Sequence, residues 1–473
     1  MKLDLNQITT RLPDQRWFGD KTRSIQGVGL LDSAVLEEGE EDLVLALLRV
    51  RFTDGGSSTY QMPVLVDSQG NARDVMEDPQ RLRVIGSLMA RPRPVKGDHG
   101  TFHLSGPGLD PSAPPGDGHI QALAAEQSNT SVVFDDEVIL KFFRKIEAGA
   151  NPDLELGRLL TNEGFLHVPS QVGEIFYETE TDSGLLSYDL AIAQQFVPGG
   201  AEGWRFALDH LGALYDEIHE ADVAEDRRAL TEERASELLG AIDQLGEVTG
   251  ALHVLLARTD LDPDLIPEPV EDPDIKEWAH GTIGRLRELA QQEPQIAKIA
   301  PLIEERIDGL SGIEQGGQRT RVHGDYHLGQ VLWAARRWMI LDFEGEPART
   351  LPERRAKSSP LKDVAGMLRS FSYAAHVSLF ERAEPDSDEW ARLEPWAATW
   401  ESIARERFLT TYLTRSHEGD FLPDERHDIA ALLDYFEIDK ALYEVSYEMG
   451  HRPDWLRIPL KGIKAVLGRR LDP

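Results

Sequence analysis

No cysteine occurs among the 473 residues, so disulfides, thiolate nucleophiles and thiolate metal sites are excluded, and any metal must be held by oxygen or imidazole. Basic residues are scarce beside acidic ones, 50 against 83, which leaves a formal charge of −33 at pH 7. That imbalance excludes the broad positive footprint that nucleic acid or anionic lipid requires, so any bound phosphate must be held by local groups or by a metal. No run approaches the ~20 apolar residues of a membrane span, and the start MKLDLNQITTRLPDQRWFGD lacks the basic-then-apolar pattern of an export signal. The expectation is a soluble, cytoplasmic protein without a membrane or nucleic-acid partner. Its length leaves room for two or three domains.

Two β-rich stretches come first. VGLLDSAVL, LVLALLRVRF and STYQMPVLV, with the turn signal Asp54-Gly55-Gly56, predict a small sheet over residues 28–67. SVVFDDEVILKFF predicts a hairpin turning at Asp135-Asp136. Between them, residues 91–118 are loaded with proline and glycine, which predicts a loop or linker and a soft domain boundary. After Gly199-Gly200 the apolar spacing becomes three and four, as in Leu238, Ile242, Leu245, Val248 and Leu252. Helices are expected over about 204–219, 232–258, 276–308, 361–381, 391–415 and 427–449. The fold class is α+β.

The chemistry concentrates in RVHGDYHLGQVLW (321–333) and WMILDFEGEPART (338–350). Their apolar runs VLW and WMIL predict an antiparallel hairpin. Pairing them about Arg336 sets Gln330 opposite Asp342 at the open end, with Asp325 in the loop that feeds it. A carboxylate and an amide oxygen are hard ligands suited to Mg²⁺, and a metal-free Asp325 can take a proton from an attacking hydroxyl. This is the order of a protein-kinase active site, with glutamine in place of the metal-binding asparagine and D-F-E-G in place of D-F-G. Zinc held by His323 and His327 is disfavoured, because Gly324 and the flanking strand argue against the helix that such a pair needs.

The runs HGDYHLGQVLW and ILDFEGEPARTLPERRAKSSPLKDVAGMLRSFSYA, with QRWFGDK near the start and YEVSYEMGHRPDWLRIPLKGI near the end, resemble the maltokinases. These are aminoglycoside-phosphotransferase-like relatives of the protein kinases. The resemblance implies a bilobal kinase-like fold with a small β-rich N-terminal cap (1–100), a small ATP-binding lobe with its hinge (101–200) and a mainly helical C-terminal lobe (201–473). It implies ATP and Mg²⁺ as cofactors and the anomeric hydroxyl of maltose as acceptor. The product would be maltose 1-phosphate for α-glucan (glycogen) synthesis. A monomer is expected, with association to a trehalose-converting or glucan-synthesis enzyme as a further option.

Such an enzyme needs a lysine paired with a helix carboxylate to hold phosphates. Lys141 at the end of VILK and Glu155 in NPDLELGRLL are the candidates. Ser128, Asn129, Thr130 and Ser131 of AEQSNTS stand where a phosphate-covering loop is expected, without its usual glycines. The backbones of Gln195 and Val197 in AQQFVPGG are placed for adenine. For the sugar, Lys440, Tyr443, Glu444 and Tyr447 share one face of the helix near 435–450, apart from the apolar stripe of Ile438, Leu442, Val445 and Met449. His323 and Glu344 would complete the contacts to the reducing end, with Trp455 a weaker candidate. Asp363 is read chiefly as complementing its helix dipole. Arg349, Arg354 and Arg355 could serve phosphate or internal ion pairs. Two other functions stay open: a kinase of an amino sugar or aminoglycoside, and a nucleotide-binding scaffold without activity.

Overall fold

The computed structural model describes residues 3–116, 118–123, 128–218, 226–313, 315–347 and 349–469. It divides into two compact units, Met1–Gly199 and Gly200–Pro473.

The first unit opens with α1 (Leu5–Arg11), and then β1 (Ile25–Glu37), β2 (Glu41–Phe52), β3 (Ser57–Asp67) and the short β4 (Ala72–Asp74) form an antiparallel sheet. The turn at Asp54-Gly55-Gly56 holds Gly55 at φ 91, a conformation open to glycine. After α2 (Arg83–Ala90), the stretch expected to be a linker instead carries β5 (Val95–Lys96) and β6 (Gly100–Ser105). These join a seven-stranded sheet with β7 (Ile120–Ala122), β8 (Asn129–Phe134), β9 (Val138–Phe143), β11 (Gln171–Thr181) and β12 (Gly184–Gln195). The correction has a plain cause: Phe102 and Leu104 point inward and are buried, so the few residues between the prolines pack rather than link. Buried Asp32 of β1 fixes the loop beyond β5 by accepting hydrogen bonds from Asp98 N, His99 N and the Tyr177 hydroxyl. One apolar core runs from Leu43 and Leu45 of the cap to Phe142 and Ile192 of the larger sheet.

The hairpin of β8 and β9 turns at Asp135 (φ 54) and Asp136 (φ 58). Two left-handed residues are what a two-residue turn matched to strand twist demands. Immediately after β9, buried Arg144 lies over the Trp17 ring at 4.7 Å, pairs with Asp74 at 2.9 Å and donates to Thr130 Oγ1 at 2.8 Å. β10 (Lys145–Ile146) then pairs with β3. The tryptophan of QRWFGDK is therefore part of the brace between cap and nucleotide-side strands. Removing the guanidinium strands the Asp74 carboxylate in the core, so Arg144→Ala should cost about 3–5 kcal/mol, read as a lowered Tm. Lysine should not restore it, since it cannot both stack and fork.

The second unit is mainly helical. It comprises α4 (Gly203–Asp216), α5 (Arg227–Arg234), α6 (Ser236–Leu256), α7 (Asp272–Gln292), α8 (Pro294–Asp308), α9 (Leu351–Arg355), α10 (Leu361–Phe380), α11 (Asp388–Ser416), α12 (Arg426–His451) and α13 (Arg457–Leu467). The single helix expected over 276–308 breaks between α7 and α8 because Pro294 takes the first position of a new helix, capped by the Glu293 side chain. β13 (Ala201–Glu202) pairs with β16 (Val331–Ala334), which pairs with β17 (Arg337–Ile340); β14 (Glu268–Pro269) pairs with β15 (Gln318–Arg319). α10 is buried along most of its length. Among the described residues no helix is long and apolar enough to cross a membrane.

Candidate active site

The β16–β17 hairpin turns at Ala335 (φ 47) and Arg336 (φ 60), so Val331 faces Ile340 and Gln330 faces Leu341. The expected register, centred on Arg336, is off by one. The side chains still meet, because Asp342 takes a left-handed conformation (φ 65) and Gln330 Nε2 donates to Asp342 Oδ2 at 3.1 Å. A non-glycine residue held at positive φ marks a place where the surroundings over-determine the backbone. Rotation of the amide about its last bond would set its oxygen beside the carboxylate, two hard oxygens side by side. The pair thus fits a Mg²⁺ ion that draws its other ligands from water and phosphate.

Asp325 sits in the loop between β15 and β16, and that loop is held from below. The Asp363 carboxylate on α10 accepts hydrogen bonds from His323 N at 2.7 Å and Gly324 N at 2.9 Å, with His253 Nε2 at 3.3 Å. Gly324 has φ 84, and a Cβ there would lie 3.2 Å from Gly345 Cα, so only glycine lets the loop close on itself. Asp363 stands in the first turn of α10, where it complements the helix dipole, and it also clamps the loop that carries Asp325. The expectation for His323 is corrected. It is 1% exposed, its Nε2 contacts Leu341 O at 2.8 Å and its Nδ1 accepts from Asp325 N at 3.4 Å, so it sets the loop and offers no edge to a substrate.

Lys440 of α12 donates to Asp325 Oδ1 at 3.0 Å and to Glu346 Oε1 at 3.2 Å. About a fifth of each of the Asp325 and Lys440 side chains stays exposed, 19% and 20%. Burial is the largest single influence and works against the charged carboxyl, but Lys440, together with the neighbouring imidazoles, holds Asp325 below the usual carboxylate range. Glu346 is lowered likewise against burial, by Lys440 and then Lys362. His327 Nε2 lies 3.8 Å from Asp325 Oδ2, and burial lowers the imidazole, so at neutral pH the lysine is the counter-charge that acts. At that distance His327 makes no hydrogen bond to Asp325 Oδ2.

Beside Asp325 a cleft of about 350 Å³ opens, walled by Trp278 and Phe436, whose rings lie 5.4 Å apart, and by the Arg285–Asp439 ion pair at 2.7 Å. An adjoining small recess of about 20 Å³, room for about one water, includes Asp325, Lys440 and Tyr443, with Lys440 Nζ 5.0 Å from the Tyr443 ring centre. The other two members of the expected sugar face do not take part. Glu444, 8% exposed, is gripped by Arg369 at 2.7 Å, and Tyr447 stacks on His451 at 4.3 Å, a full turn farther along α12. Trp455 packs on Phe380 and under Arg452. Glu344 is placed beside Arg354, at 3.9 Å, and Arg349 pairs with Glu346 at 3.3 Å.

In the first unit Lys141 pairs with Asp153 at 3.1 Å. Asn151 caps α3 (Pro152–Asn162) and Asp153 faces inward at 1% exposure; two residues on is about 200° around a helix, so Glu155 lies on the other side. The expected phosphate loop is largely strand. Asn129, Thr130 and Ser131 belong to β8, the Thr130 hydroxyl is spent on Arg144, and Ser131 is fully buried opposite Lys141. Ser128 stays in an exposed bend, and Ala125, Glu126 and Gln127 of the expected loop lie outside the described residues. Gln195 N already donates to Ser170 O at 2.8 Å, which removes it as an adenine donor; Val197 follows the end of β12, half-buried.

Comparison with known proteins settles the family. The pattern of the phosphotransferase enzyme family matches residues 119–396. The chain belongs to that family. A maltokinase N-terminal cap domain matches residues 12–92, ahead of it. This phosphotransferase is 26% identical over 356 residues to a glucosamine kinase of Mycolicibacterium smegmatis, covering 73% of this chain and 79% of that one. It is 27% identical over 367 residues to a glucosamine kinase of Streptacidiphilus jiangxiensis, covering 74% of each. A solved glucosamine kinase in complex with glucosamine, ADP and inorganic phosphate superposes with a TM-score of 0.69 at 21% identity over 98% of this chain and 99% of that one. Another crystal form gives 0.71 at 22% identity over 98% and 100%. At that identity the likeness shows the fold. The phosphotransferase is thus an α+β enzyme of kinase-like fold with a β-rich maltokinase cap.

Trp278, Arg285, Glu346 and Lys362 of the cleft are absent from the sequence expectations. Only Glu346 carried a signal, four residues after Asp342 in DFEGE.

Proposed function

We propose that this phosphotransferase moves the γ-phosphoryl group of ATP to the anomeric hydroxyl of maltose, giving maltose 1-phosphate for α-glucan synthesis. The observation that carries the reading is the cleft beside Asp325: aromatic faces from Trp278 and Phe436, and the carboxylates Glu346 and Asp439 already matched by cations. Flat apolar surface suits the C–H faces of a sugar, and paired charges offer donors and acceptors to hydroxyls without demanding a charged ligand. The maltokinase cap supports it independently.

Each residue then has a task. Lys141, oriented by Asp153, holds ATP phosphates, Ser128 remains a loop donor, and the Val197 backbone is a candidate for adenine. Gln330 and Asp342 would hold Mg²⁺, which supplies neutralisation of charge on the phosphates. Asp325, fixed through its loop by Asp363 and kept ionised by Lys440, orients the acceptor hydroxyl at Oδ2 and takes its proton as the new bond to phosphorus forms. Tyr443 lines the small recess, with room for about one water, toward which the reacting hydroxyl would point from the cleft.

A second reading, glucosamine as acceptor, has the names of the relatives in its favour. An ADP-release assay with ATP and Mg²⁺ against maltose, glucose, glucosamine and an aminoglycoside separates the two. Turnover confined to maltose is expected; preferential turnover of glucosamine would replace the acceptor and leave the chemistry standing.

A further inference from the structure

The charges around the acceptor recess are unusual for this chain. Against −33 overall, the recess holds four cations, Arg285, Arg349, Lys362 and Lys440, and three carboxylates, Asp325, Glu346 and Asp439. All three carboxylates are matched. Lys440 bridges Asp325 and Glu346, Arg349 adds a second cation to Glu346 at 3.3 Å, and Asp439 takes Arg285 at 2.7 Å and the Thr282 hydroxyl at 2.6 Å. Lys362 is the additional cation. It stands at the start of α10 beside the loop clamp Asp363, lines both the recess and the larger cleft, and adds its field to that of Lys440 at Glu346.

We propose that the charges of this recess, at the edge of the 350 Å³ cleft in which a sugar would sit, act as a filter that favours uncharged sugars and rejects those bearing an ammonium group, and that Lys362 is the residue that tips its balance to positive. An incoming ammonium would have to displace a lysine or arginine from a carboxylate or sit among cations without one; a hydroxyl can donate to and accept from the same groups at no such cost. Shape cannot make this distinction, because a 2-hydroxyl and a 2-ammonium group are nearly the same size. The inference rests on the sugar-acceptor reading of the cleft and names the physical basis on which it selects.

Glucose and glucosamine differ at that one group and are the probes, tested as competitors of maltose phosphorylation at neutral pH. Glucosamine should inhibit much more weakly than glucose in the wild type, and Lys362→Met should shrink the ratio of the two inhibition constants about tenfold, what one unit charge ~10 Å away gives at an effective dielectric near 20. Inhibition by glucosamine in the wild-type enzyme should also strengthen as rising pH neutralises its amine, while inhibition by glucose stays flat, which reads the filter without any variant. Equal inhibition by the two sugars, or an unchanged ratio in Lys362→Met, would overturn the proposal. If maltose itself is not phosphorylated, the acceptor reading fails separately, and the same ratio read as binding through Trp278 fluorescence still decides the filter.

Discussion

Asp325→Asn should lower kcat about 10³-fold while leaving the KM for the sugar and the KM for ATP within a few-fold of wild type. The asparagine keeps a side-chain oxygen for orientation but cannot take a proton, and a positioned general base is worth ~10²–10⁴-fold. The fold should be unchanged, since the loop is fixed by the backbone amides of His323 and Gly324 on Asp363 and not by the Asp325 side chain. Steady-state kinetics with both substrates varied checks this. A large rise in sugar KM with kcat preserved would make Asp325 a binding residue and send the search for the base elsewhere.

Lys440→Met should have the second largest effect, and a different signature. The lysine is the shared partner of Asp325 and Glu346, and without it two nearby carboxylates lose their common cation. One of them must then hold its proton to higher pH. In the wild type Asp325 is held low, so the acid limb of kcat/KM should lie well below neutrality; in the variant that limb should move up, with partial rescue of activity at alkaline pH. Stability follows the same sign. Both carboxyls have depressed folded-state pKa values, so their contribution is present above the unfolded value near 4 and lost as pH falls through the folded value; Lys440 is raised, so its contribution is present below about 10 and lost above. Breaking a buried pair costs about 3–5 kcal/mol. The Tm gap between wild type and variant should therefore be full between about pH 4 and 10 and narrow outside that window, which thermal melts across pH measure.

How much of this was legible in the sequence depends on which residues carried the information locally. The β16–β17 hairpin was legible because two apolar runs flanked a short polar gap. Its register was not, because Ala335 and Arg336 adopt left-handed backbones that neither residue type advertises. An acid for Lys141 could be placed on α3, yet choosing Asp153 over Glu155 required the phase that Asn151 and Pro152 impose on the helix. Lys440 and Tyr443 were legible as neighbours on one face of α12. Glu444 and Tyr447, on the same stripe, were not distinguishable from them, since what removes them is Arg369 on α10 and the stacking on His451. Trp278 and Arg285 lie on α7, far from the catalytic loop in sequence, and only tertiary packing against α12 brings Arg285 onto Asp439. The prolines of residues 91–118 hid two strands because strand pairing there is decided by Phe102 and Leu104, and composition averages over them.

The cap shows the same lesson in energetic form. Its strands read clearly from alternation, but its attachment hangs on a single buried guanidinium that sequence reading would leave on the surface. Arg144 touches Trp17, Asp74 and Thr130 at once, and Thr130 stands on the strand beside the one that carries Lys141.

The most direct test of the central claim is ³¹P NMR of the product formed from ATP and maltose. The account predicts a new phosphomonoester resonance coupled to the anomeric proton, appearing in step with ADP and with loss of the reducing end, and absent with Asp325→Asn. A phosphoryl group on any other hydroxyl, or ADP release that does not depend on maltose, would contradict it.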